Sequence, residues 1–246
     1  MVGTLQVNFI KFVILFLFAA PSIVIANVEL QINDKHYRFE ENPRISDVLS
    51  IVEQEQEWYW HTSKLFKLNS DKALSKKQNL VNALSNGESH ISEIARNLLL
   101  TQVKSWDLAD RVVIDIDYDL ARFSLKNNPV MEDGKFLLML STRNRPLYVF
   151  GAVEVEESLT YQENTCIEDT VGSLQKASFA DSNYVYVISP NGLISRTPIA
   201  YWNSQCTLVM PGSQIYIPVQ ENQFFPSIQE TNEAVARLAI NRKFMP

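Results

Sequence analysis

Val28, Leu30 and Ile32 alternate with Glu29, Gln31 and Asn33, and past the polar pair Asp34-Lys35 the alternation resumes at Tyr37 and Phe39. A period of two broken by a short polar step predicts a β-hairpin. Behind Asn42-Pro43 the spacing becomes helical, with Ile45, Val48, Leu49 and Val52 in phase, so the chain opens strand, strand, helix. The helical period returns at Leu74, Val81 and Leu84 and, after Asn86-Gly87, at Ile91, Ile94, Ala95, Leu98 and Leu99. Two amphipathic helices joined by a turn are predicted there, inserted before the sheet is complete. Strands are expected again over residues 111–120 and 135–140.

The second half repeats the plan. Residues 147–153 and 158–162 read as a first hairpin, 166–174 as a helix, and Tyr184 to Asn203 as the next two strands. In that stretch Val185 and Val187 face one way while Tyr184, Tyr186 and Ile188 face the other. Between its strands, Ser189-Pro190-Asn191-Gly192 supplies Pro for the second position of a type I turn and Gly where a positive φ is needed. Residues 214–219 are the closing strand. In the tail, Ser227 as N-cap with Glu230 three residues on reads as a capping box, and Ile228, Val235 and Leu238 share one helical face. The expected fold is α+β: two β-grasp domains and a C-terminal amphipathic helix. Their boundaries are 27–143, with a helical hairpin insert at about 70–105, then 144–220, then 221–246 for the helix.

Composition adds a compartment. Lys11 precedes an apolar run from Phe12 to Ala20, and Val24-Ile25-Ala26 offers the small residue a signal peptidase needs. The run is short for a span, so a signal cleaved after Ala26 is the reading, with an uncleaved anchor as its alternative. The remainder suits two domains of about 100 residues each. A net charge of -6 argues against nucleic acid as a partner, since that requires a basic face. Cys166 and Cys206 are the two cysteines; they fit an oxidising compartment, and the sequence leaves open whether they are bonded.

Candidate chemistry is sparse. Asp115, Asp117 and Asp119 share one face of the strand predicted over 111–120, with Arg111 on the same face. Asp-x-Asp-x-Asp also opens a calcium loop, but Leu120 and Lys126 stand where that loop needs Gly and Glu. A solvated strand face is expected, with no metal and no cofactor. Arg111 either pairs with a neighbouring carboxylate or presents a guanidinium in a recess, able to fork onto a carboxylate, phosphate or sugar hydroxyl. Trp58, Tyr59 and Trp60 form one aromatic cluster and Tyr201-Trp202 another. Such clusters stack on sugar rings or brace cores. His36, His61 and His90 have no ligand spacing, and there is no Gly-x-Ser-x-Gly elbow or phosphate-cradling loop.

The order of these pieces resembles the GfcC-like periplasmic proteins of group 4 capsule and related exopolysaccharide operons in Gram-negative bacteria. The resemblance is carried by residues 186–192 (YVISPNG), 197–203 (TPIAYWN) and 211–217 (PGSQIYI). Trp58-Tyr59-Trp60, Arg145-Pro146, Gly151-Ala152-Val153 and Phe225-Pro226 add to it. It covers essentially the chain after Ala26 and implies a periplasmic accessory protein of polysaccharide secretion, with an Arg in a recess at the position of Arg111. It implies no enzymatic activity. Where export-type domains follow Gly-x-Val with Pro-Gly, this chain continues Glu154-Val155-Glu156-Glu157, and the cysteine pair lies outside the family pattern. The leading expectation is a monomeric, non-enzymatic module. It binds polysaccharide, outer-membrane polysaccharide export proteins, or both, with Arg111, Trp58, Tyr59 and Trp60 as ligand-binding residues. The rival is a glycan-modifying enzyme with its site around Arg111 and an acid or base such as Asp115 or Asp117. A third reading makes the tail helix an oligomerisation element.

Overall fold

The computed structural model describes residues 28–244 apart from 88, 89 and 204; the signal segment expected at 1–26 lies outside the described residues. The opening alternation forms β1 (Val28–Ile32) and β2 (Lys35–Phe39), antiparallel with Val28 opposite Phe39. The chain continues through α1 (Ile45–Ser50), β3 (Lys64–Lys67), α2 (Lys72–Ser85), α3 (Glu93–Ser105), β4 (Asp110–Val112), α4 (Tyr118–Phe123) and β5 (Gly134–Met139). These strands make a five-stranded sheet in the order β2-β1-β5-β3-β4, with β1 and β5 parallel. Val28, Leu30, Ile32, Leu65, Phe136 and Leu138 point to one face and bury against Ile45, Val48 and Leu49 of α1 and Ala121 of α4. Phe66, Leu137 and Met139 point to the other.

Two expectations change here. Strand β3 was not legible, because four residues bounded by Lys64 and Lys67 are too short to show a period. The strand expected over 111–120 is only β4, Asp110–Val112, and the chain then leaves the sheet. Asp117 is the N-cap of α4, its Oδ1 accepting from the Leu120 N–H at 2.9 Å. A carboxylate that satisfies a helix's orphan donor outcompetes an edge-strand position. Asp115, Asp117 and Asp119 therefore share no strand face with Arg111.

The second sheet comprises β6 (Leu147–Gly151), β7 (Glu157–Leu159), β8 (Tyr184–Ile188), β9 (Ile194–Pro198) and β10 (Gln214–Ile217), with α5 (Ile167–Gly172) after β7. Its order, β7-β6-β10-β8-β9 with β6 and β10 parallel, repeats the connectivity of the first sheet. Gly192, at φ 89°, closes the β8–β9 turn by donating its N–H to the Ser189 carbonyl at 2.9 Å. Val149, Val185, Val187, Ile215 and Ile217 pack on Ile167 and Val171 of α5.

The opposite face, Phe150, Tyr186, Ile188 and Tyr216, buries against α2, α3 and α6 (Pro226–Ala239). The helical hairpin that interrupts the first sheet thus covers the second. Leu84 and Leu99 are fully buried there, each contributing about 2 kcal/mol of apolar burial. No helix among the described residues is long and apolar enough to cross a membrane.

The N-terminus of α6 also differs from expectation. Pro226 occupies N1, where its missing N–H costs nothing, so Phe225 becomes the N-cap and no side chain caps the helix. Ser227 is one residue inside, and its hydroxyl pairs with His90 Nδ1 at 2.9 Å while the His90 ring stacks on Phe225.

Cys166 and Cys206 are joined in a disulfide spanning 40 residues, with a Cα–Cα distance of 5.0 Å. It ties the start of α5 to the loop before β10. Closing a loop of that length removes about 4 kcal/mol of unfolded-state freedom. Cys166→Ser with Cys206→Ser is expected to lose that much in denaturant unfolding, and an unchanged midpoint would show that the bond constrains nothing.

Candidate functional site

Arg111 stands on the edge strand β4 directly opposite Phe66 of β3, on the face turned away from α1. Its guanidinium lies over the Phe66 ring at 5.4 Å from the centroid. Nη2 donates to the carbonyls of Ser63, at 3.2 Å, and Pro190, at 2.8 Å, and the backbone N–H donates to Asn241 Oδ1 at 3.1 Å. One residue therefore ties the chain before β3 and the β8–β9 turn through its side chain, and the segment after α6 through its backbone. Nη1 is buried with no partner among the described residues, and burial lowers the guanidinium pKa to about 9.

Lys64, two residues before Phe66, falls on the same face, opposite Met139. It is 9 % exposed. Its Nζ lies 5.6 Å from the Phe244 ring centroid, and no carboxylate among the described residues pairs with it. Burial first, then the positive charges of Arg111, Arg145 and Arg242, bring its pKa down to about 7. An ammonium taken out of water without a counter-charge costs several kcal/mol.

The segment after α6 delivers the remaining groups. Ala109 N–H donates to the Asn241 carbonyl and Lys243 N–H to the Asp107 carbonyl, both at 3.0 Å, so residues 241–243 lie alongside 107–109. Arg242 is held over the rings of Trp106, Phe244 and Phe150 at 4.4, 4.5 and 4.9 Å and pairs with Glu156 at 3.6 Å. Phe244 stacks on Tyr148 at 4.1 Å, and the Arg145 guanidinium lies 6.0 Å from the Tyr148 centroid. Lys64, Arg145 and Phe244, with Thr62 and Ser141, wall a narrow cleft of about 10 Å³.

The aromatic cluster expected beside Arg111 is placed differently. Trp58 and Trp60 are half-buried against the core of the first sheet, and Trp58 Nε1 donates to the Val52 carbonyl at 2.8 Å. Tyr59 turns to His61 and to the Arg143 guanidinium, at 5.3 and 5.7 Å, and no ring contact joins the three aromatics. The backbone N–H of Tyr59 donates to the carbonyl of Ser141, which lines the cleft. Asp115 and Asp119 are exposed, and no described carboxylate pairs with Arg111. Lys64, Arg145 and Arg242 were not singled out as site residues, since their proximity is a property of the fold alone. The signal that was available is the Lys in Lys64-Leu65-Phe66, a charge heading an apolar run.

Comparison with known proteins bears on the whole chain. Residues 24–143 match the family described as "Capsule biosynthesis GfcC, N-terminal", and residues 156–243 match "Capsule biosynthesis GfcC C-terminal". The chain is also similar to "Uncharacterized protein YjbG" of Escherichia coli (strain K12), with 26% identity over 128 residues. That alignment covers 52% of each protein, so about half of the relative's length is spanned.

Proposed function

The chain belongs to the capsule biosynthesis GfcC family, and from that premise we propose that it is a periplasmic, non-enzymatic accessory of capsule or exopolysaccharide assembly. It binds exported polysaccharide or the outer-membrane export proteins at the junction of its two sheets. In this reading a signal ending at Ala26 is removed, residues 27–143 and 144–220 are β-grasp domains, and 221–246 is a tail that covers its own protein as a monomer. The repeated strand order, with one parallel pair at the same place in each sheet, supports the β-grasp reading. Trp58, Tyr59 and Trp60 brace the wall beside the cleft and contribute through Tyr59.

The observation that carries the proposal is the Arg111 guanidinium, held by two carbonyls from different parts of the chain while Nη1 stays buried and unpartnered. A donor kept in reserve at a junction is arranged for an acceptor from outside. Among the described residues no carboxylate pairs with Arg111, and the adjacent Asp110 is taken up by Ser70 and the Ala73 N–H, which weighs against the glycan-modifying enzyme. Residues 27–246 are expected to bind oligosaccharides of the host's own capsule saturably. Arg111→Lys, which cannot fork, is expected to stay folded with a melting temperature lowered by the lost bonds to Ser63 and Pro190, and to bind at least tenfold more weakly below it. Equal binding by both proteins removes Arg111 from the site, and turnover of the glycan would make the protein an enzyme.

A further inference from the structure

We propose that the cleft walled by Lys64, Arg145 and Phe244 takes an oxyanion borne by a saccharide, either a uronate carboxylate or a phosphate substituent. The inference rests on the binding-module reading and adds the chemical class of the ligand. The chain as a whole is acidic, at net charge -6, yet Arg111, Arg145 and Arg242 lie close enough to Lys64 to repel it, and Glu156 pairs with Arg242. Although its Nη1 is buried without a partner among the described residues, Arg242 is countered, by three rings and by Glu156. Lys64 is not. It is nine-tenths buried, lines the cleft, and among the described residues has one distant ring and three like charges for company.

Packing alone would favour an apolar residue at a position opposite Met139 and beside Leu65 and Phe66. A lysine kept there is explained by an anion that neutralises it. The size of the cleft selects the shape of that anion. About 10 Å³ holds one water-sized group, so an oxyanion tip enters while the sugar ring stays outside, against the Phe244 edge of the cleft. The hydroxyl protons of Thr62 and Ser141 are already committed, Thr62 Oγ1 donating to the Tyr59 carbonyl at 2.9 Å and accepting from Ser141 Oγ at 2.8 Å, so the anion is held by the charges of Lys64 and Arg145.

Titration calorimetry of the purified chain with glucuronate, glucose 1-phosphate and glucose tests this. Saturable binding of a charged sugar is expected, with glucose at least tenfold weaker. Lys64→Met should weaken the charged sugar at least tenfold while its thermal midpoint rises, because an uncompensated buried charge has been removed. Binding by glucuronate alone identifies the carboxylate and by glucose 1-phosphate alone the phosphate, and either supports the proposal. Equal binding of glucose, unchanged binding by Lys64→Met, or no binding of either charged sugar overturns it. Capsule oligosaccharide binding that survives in Lys64→Met but is weakened in Arg111→Lys would retain the binding module and discard the oxyanion.

Discussion

Gly151→Ala is expected to cost about 2–6 kcal/mol, a large share of the protein's stability. Gly151 ends β6 at φ 100°, a backbone conformation that L side chains rarely adopt, and it lies beside Ile217 in the parallel β6–β10 pair. A Cβ there would sit 2.3 Å from the Ile217 carbonyl oxygen and 2.6 Å from two ring carbons of Tyr216. Neither can give way. The same carbonyl accepts the Ala152 N–H at 2.8 Å, and Tyr216 is fully buried between Phe150 and Tyr186. Moving β6 instead would break the paired bonds by which Gln102 of α3 holds the Gly151 N–H, at 2.9 Å, and carbonyl, at 3.0 Å. Strain at the backbone is about 1–3 kcal/mol, and overpacking adds about as much again. Against a stability of about 5–15 kcal/mol, the loss shows as a sharply lowered denaturant midpoint. A variant with wild-type unfolding would mean that the β6–β10 junction is far softer than this packing implies.

Asn232→Leu is expected to cost about 4 kcal/mol or more. Asn232 is fully buried on α6. Its Oδ1 accepts from the Tyr216 hydroxyl at 2.8 Å and the Val219 N–H at 3.1 Å, and its Nδ2 donates to the Val219 carbonyl at 2.8 Å. One amide thus satisfies both backbone groups of Val219, just past the end of β10, and the buried phenol. Leucine has a similar volume, so the main effect is three orphaned polar groups at about 1–3 kcal/mol each. Adding Tyr216→Phe removes one orphan and should recover about 1 kcal/mol relative to Asn232→Leu alone. Denaturant unfolding of wild type, both singles and the double closes the cycle. Purely additive losses would show that the amide and phenol act independently.

Much of this architecture was legible in the sequence. The alternation of Val28, Leu30 and Ile32 and of Val185 and Val187 marks strands whose inner faces are buried, and the helical periods around Leu84 and Leu99 mark α2 and α3. A period reveals that a face is buried without revealing its partner. Nothing in Leu80, Leu84 or Leu99 says that they cover the second sheet. Short elements escape for a different reason, as β3 shows with its four residues. Capping chemistry misleads when two signals compete: Pro226 at N1 sets the start of α6 and leaves Ser227 inside it. Arg111 stands out by sequence as an arginine at the head of an apolar stretch. Lys64 heads a shorter run, Leu65-Phe66, but nothing in it points to Arg242, because the two come together only once the segment after α6 runs back along 107–109.

The covering of the second sheet by helices from the first half of the chain has a consequence for how the protein can be taken apart. A fragment beginning at residue 144 would carry Phe150, Tyr186, Ile188 and Tyr216 with only α6 to shield them, and a fragment ending at 143 would carry α2 and α3 with their inner face bare. Each half holds the lid or the vessel of the other. The chain is divisible on paper between its two sheets and indivisible in solution, so cutting it between the sheets yields two aggregation-prone pieces in place of two working modules.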